Sequence, residues 1–111
     1  MTDLPFTQGS RFEPVITYWQ DVAKTNPHDL TGFICHFLVK DDASDDDSDA
    51  LFDLFNPGNG LTLTPLTAII EPVLTAVQTQ TLAKGVYYFE QKITSGGGQT
   101  TIIAEGRLVK A

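Results

Sequence analysis

Cysteine is almost absent from this 111-residue chain, and the lone Cys35 excludes an internal disulfide. Histidine occurs twice, as His28 and His36, and neither stands in an HxxxH, HxH or HxxE spacing that could hold zinc. No apolar run approaches the roughly 18 residues of a spanning helix, so membrane insertion is not expected. Met1-Thr2-Asp3-Leu4-Pro5 has neither the basic nor the apolar region of a secretory signal, so export by that route is not expected either. Basic clusters are missing too. Arg11, Lys24, Lys40, Lys84, Lys92, Arg107 and Lys110 are scattered singly, whereas nucleic-acid binding needs a basic stripe along the phosphates. No serine sits in a GxSxG elbow, and Ser95-Gly96-Gly97-Gly98 lacks the lysine and following helix of a phosphate loop. Glu13, Glu71, Glu90 and Glu105 are solitary, with nothing to pair two of them as acid and base. The chain reads as a non-enzyme without catalytic residues, metal or cofactor.

What is present fits one domain. With 41% hydrophobic residues the chain can build a core without metal or cross-link. Residues 1 to 8 show no period and read as a flexible N-terminal arm; residues 9 to 111 read as a single β-sandwich domain. The clearest strand is Phe33 to Lys40, whose alternation puts Phe33, Cys35, Phe37 and Val39 on an apolar face and Ile34, His36, Leu38 and Lys40 on the other. Cys35 therefore reads as a small buried hydrophobe rather than a nucleophile. Asp29-Leu30-Thr31-Gly32 suits a tight turn into that strand.

Elsewhere, Phe12, Ile16 and Tyr18 share one parity around Pro14, which marks an edge or bulged strand. Asn26-Pro27 signals a turn within residues 20 to 29. Leu51 to Phe55 is a short strand before the turn signal Asn56-Pro57-Gly58-Asn59-Gly60, and Leu61 to Thr64 alternates. The stretch from Leu66 to Leu82 divides into a strand to about Leu74, with Pro72 marking an edge, and a helical turn from about Thr75 that Gly85 stops. Thr75 and Gln78 match a capping box at its start. Val86 to Thr94 and Gln99 to Val109 flank Ser95-Gly96-Gly97-Gly98 as a hairpin. The pattern predicts an all-β, immunoglobulin-like sandwich of about seven strands with one short helical turn.

The formal charge of −7 belongs to one place. Asp41, Asp42, Asp45, Asp46, Asp47, Asp49 and Asp53 are half of the 14 acids, and the remaining seven balance the seven bases. Like charges this dense predict a solvated loop at about 41 to 50. Asp45, Asp47 and Asp49 have the alternate spacing with which a calcium loop begins, but the sixth and twelfth positions would be Ala50 and Asn56 instead of Gly and Glu. The alternative to a structural role is thus a calcium-dependent binding module for a carbohydrate or receptor. Tyr18, Trp19, Tyr87, Tyr88 and Phe89 are numerous for one core face, and those that alternation turns outward suit a subunit interface.

Gly9-Ser10-Arg11-Phe12, then Asn26-Pro27-His28-Asp29-Leu30-Thr31-Gly32-Phe33, resemble the start of small immunoglobulin-like domains in tail and baseplate proteins of bacteriophages and prophages. The baseplate upper protein N-terminal domain is the nearest likeness. Leu74-Thr75-Ala76 with Thr79, Leu82, Gly85 and Tyr87 resembles that family's helical segment and penultimate strand, and Ile102 to Val109, with Glu105-Gly106, its closing strand. The likeness covers residues 9 to 110; the Asp41 to Asp53 segment and Pro72 depart from it. It implies a virion structural or assembly protein, made in the bacterial host cytoplasm, with no catalytic site. Its partners would be copies of itself or neighbouring tail, baseplate or head components.

Overall fold

Alternating side chains dominate the second half of the chain, and the backbone follows them. In a computed structural model describing residues 2–18, 29–42, 44–55 and 60–111, eight strands and one short helix succeed one another. They are β1 (Thr2–Phe6), β2 (Ile16–Thr17), β3 (Ile34–Lys40), β4 (Phe52–Phe55), β5 (Leu61–Thr64), β6 (Ile69–Pro72), α1 (Ala76–Gln80), β7 (Val86–Thr94) and β8 (Thr100–Lys110). The larger sheet has the order β1-β8-β7-β3-β4 and the smaller the order β2-β6-β5. The triplets β2-β6-β5 and β8-β7-β3 correspond to the B-E-D and G-F-C strands of an immunoglobulin-like sandwich, with β4 added beside C. The predicted all-β sandwich with one helical turn is the fold observed.

The core lies between the sheets. Cys35, Phe37 and Val39 of β3 are fully buried, and Tyr87, Phe89 and Ile93 of β7 nearly so. Phe37 and Phe89 stack with ring centroids 5.5 Å apart. Phe33, expected in the same layer, is half-buried because it precedes the strand at its open end. Tyr87 also marks a corner. Its hydroxyl accepts the backbone N–H of Lys84 at 2.9 Å, as the tyrosine corner at the start of an F strand does. Before it, Thr75 and Gln78 form the reciprocal capping box that their spacing predicts. Asp29 Oδ1 accepts from the N–H and hydroxyl of Thr31, and Gly32 takes a φ of 82°, so the turn into β3 is built as expected.

Two expectations are corrected. Residues 1 to 8 are not simply a loose arm: β1 pairs in parallel with β8 from Thr2↔Gly106 to Phe6↔Lys110. Leu4 packs against the core, Phe6 is 3% exposed, and Asp3 grips Arg107 through two hydrogen bonds of 2.9 and 2.7 Å. Five residues were too short a window to display a period. Second, Pro72 ends a central strand rather than an edge. The β2–β6 register sets Pro14 opposite Pro72, between the Ile16↔Ile70 pair and the Phe12↔Leu74 bridge. Neither proline has an N–H to donate, so the β2–β6 ladder is interrupted between those two pairs. The expectation of about seven strands is met, the described residues holding eight with β1 included. Of the connection expected over residues 20 to 29, residues 20 to 28 lie outside the described residues, as do Trp19 and the turn residues 56 to 59.

Replacing Phe37 by Ala should lower stability by about 3 to 5 kcal/mol, since it deletes a fully buried ring that stacks on a second one. Urea unfolding measures this. Tyr87→Phe should lower it by about 1 kcal/mol, through the lost corner hydrogen bond, with the slope unchanged.

Candidate interaction surface

The large sheet has an outer face turned away from the core, and alternation assigns it His36, Leu38 and Lys40 of β3 and Tyr88, Glu90 and Lys92 of β7. A bulge between Gln91 and Lys92 leaves Ile103 of β8 without a partner, so that Ile102 and Glu105 both come to this face. Glu90 and Glu105 lie directly opposite each other. Like charges in that position repel, and Lys40 compensates by pairing with Glu90 at 2.9 Å.

Lys40 is 3% exposed, which is unusual for an ammonium on an outer face. Its cover is the acidic segment. A single 3₁₀ turn, Asp47–Asp49, lies over β3, and Asp47 accepts from Lys40 through Oδ1 at 2.9 Å and from Lys92 through Oδ2. Leu38, also outward by alternation, is 3% exposed. Leu51 N–H donates to the Val39 carbonyl at 2.7 Å and closes the segment at its far end. At its near end Lys84 holds Asp41 at 2.6 Å. The expected solvated loop is a mostly exposed acidic turn, tied to the sheet by Lys40 and Lys92 and to the α1–β7 connection by Lys84. Sequence spacing could not show this, because Lys40, Lys84 and Lys92 are remote from one another along the chain.

Asp45, Asp47 and Asp49 do not share a centre. Asp45 accepts the N–H of Asp42, both oxygens of Asp47 are taken by ammonium groups, and Asp49 is exposed. Among the described residues no three Asp, Glu, His or Cys side chains are grouped to hold a metal ion. Beside the turn is a hollow of about 310 Å³ lined by His36, Leu38, Asp47, Asp53, Lys92, Thr94 and Thr100. His36 Nδ1 is 2.9 Å from Asp53 Oδ1, and its ring lies against Phe55. Cys35 faces the opposite way, inside the core, where burial pushes its thiol up to about 11.

Sheet edges complete the surface. β1 carries Asp3 and Pro5, β4 carries Asp53, and β2 follows Pro14, each a feature that discourages pairing with another chain. β5, Leu61-Thr62-Leu63-Thr64, is an edge with neither charge nor proline inside it. Leu66, just beyond, is 71% exposed. Of the aromatic cluster, Tyr87 and Phe89 are buried, while Tyr18 and Tyr88 are half-buried. No family model matches the chain, and no curated protein matches it.

Asp47 is held below the ordinary carboxylate range by hydrogen bonds from Lys92 and Lys40, Asp3 by Arg107, and Asp42 by the N–H and hydroxyl of Ser44. The stability these groups contribute is complete above about pH 4, the unfolded carboxylate value, and is lost as pH falls through their lower folded values. Urea midpoints should therefore drop below pH 4. Asp47→Asn should make that drop shallower and lower the midpoint at pH 7.

Proposed function

We propose that this chain is a non-enzymatic structural or assembly protein of a bacteriophage or prophage particle, in its tail, baseplate or head, acting by contact with copies of itself or neighbouring particle proteins. The observation that supports contact as its mode of action is the β5 edge. It offers backbone donors and acceptors to an added strand, without the charge or proline that guards the other described edges. Exposed Leu66 at the end of that edge adds apolar area to it. The immunoglobulin-like strand order agrees with the phage tail and baseplate domains that the sequence resembles. A fold of this class does not by itself carry a function, so the particle assignment leans on that resemblance. On this reading the chain is made in the bacterial host cytoplasm and resides in the virion, with its one thiol kept inside the core.

Sedimentation velocity at micromolar concentration should show self-association. Lysines at positions 62 and 64 should return the protein to a monomer and change its unfolding free energy by no more than about 0.5 kcal/mol, because both threonines are exposed. Antibody to the chain should label purified particles in electron micrographs. Unlabelled particles together with a strict monomer would sink the proposal.

A further inference from the structure

The acidic turn sits on the sheet as a ligand would. Lys40 and Lys92 present their ammonium groups on either side of one carboxylate, that of Asp47, and Glu90 backs both lysines at 2.9 and 3.4 Å. The lysine side chains are 4% and 17% exposed, whereas Asp47 is 52% exposed. The receptor side of the contact is thus built into the sheet, and the carboxylate comes to it from outside. Of the other acids in the turn, Asp42, Asp45, Asp46 and Asp49 form no ion pair among the described residues, though Asp42 feels the nearby charge of Lys84. Crowded on one short segment, they repel one another and favour its departure. Between the turn's tethered ends, Asp47 is the acid that binds it to the sheet, against the repulsion of its neighbours.

We infer that Lys40 and Lys92, with the covered Leu38, form a docking site for an acidic segment of a partner protein, and that residues 44–51 occupy it as an internal stand-in until the partner's carboxylate displaces Asp47. The occupant's chemistry follows from the one seated there: a carboxylate that two ammonium groups bracket, on a chain bearing further acids. Leu38, which lines the hollow beside Asp47 and Lys92, offers the incoming segment an apolar contact that free carboxylates lack. The inference deepens the contact role proposed above and uses a different face from the β5 edge.

Hydrogen exchange on the full chain tests the latch. In Asp47→Asn the amides of Asp49, Ala50 and Leu51, which donate to Asp46, Asp47 and Val39, should exchange at least tenfold faster, with β7 amides unchanged. In a variant with Asn at 42, 45, 46 and 49 and Asp47 intact, the same amides should exchange more slowly than in wild type. That opposite sign cannot arise from a damaged fold. A fluorescent peptide of residues 44–51 serves as the docking probe. By anisotropy it should bind Asp47→Asn at least fivefold more tightly than wild type, lose that gain in Asp47→Asn/Lys92→Gln, and weaken as salt rises. Unchanged exchange in Asp47→Asn, faster exchange in the four-asparagine variant, or no gain in peptide binding would each overturn the inference. Sedimentation results at the β5 edge bear on none of these readouts, so the two readings fail separately.

Discussion

Phe37 and Phe89 meet across the middle of the β3–β7 ladder, and most of the sandwich is arranged around that stack. In an immunoglobulin-like domain, the residue two after the corner tyrosine of strand F lies at the centre of the core, where antibody domains place a disulfide against a tryptophan. Here Tyr87 is the corner, and Phe89 takes the place that a cysteine would have. Phe37 on the C strand faces it. Both rings belong to the larger sheet, so they fill the centre of the core by burial and dispersion without the covalent link between sheets that a chain with one cysteine cannot make. The stack needs the seven-residue register between β3 and β7, from Ile34↔Thr94 to Lys40↔Tyr88. That register in turn sets which side chains lie outside.

The outer face inherits its chemistry from this constraint. Once Phe37 and Phe89 point inward, Lys40, Glu90 and Lys92 point outward together, and the acidic turn has a surface to lie on. Burial of the Lys40 ammonium opposes its charge, yet hydrogen bonds to Glu90 and Asp47 outweigh that effect and hold it above the ordinary lysine value. Its charge is therefore retained at neutral pH, and with it the attraction for Asp47. One inward stack and one outward ion cluster are two consequences of the same pairing.

The connections show a second economy of means. Thr79, fully buried on α1, donates to the Ser10 carbonyl at 2.7 Å, and Gln8 donates to the Gln80 carbonyl. These bonds dock the β6–β7 connection onto the segment leading out of β1. The C-terminal Ala111 N–H reaches the Phe6 carbonyl at 2.8 Å, closing the same end of the large sheet. β1 is thereby fixed at both its ladder and its exit, which accounts for its place in a sheet despite a sequence too short to show a strand.

Local signals were legible wherever a residue's partner was nearby in the chain. The alternation of Phe33 to Lys40, the Thr75 and Gln78 capping box, the Asp29 to Gly32 turn and the Ser95 to Gly98 hairpin tip all act within a few residues, and all appear as read. Cys35 inside the core follows from the same alternation. What alternation could not reveal is which strands are neighbours. β1 owes its order to β8, 104 positions away at the Asp3–Arg107 pair. Pro72 marks an edge when read locally, yet its strand lies between β2 and β5, with the β2 ladder interrupted beside it. The acidic segment carries the same repulsive charge in sequence and in structure. Only folding brings Lys40, Lys84 and Lys92 beneath it, because Coulomb attraction depends on distance in space and the chain's order records none.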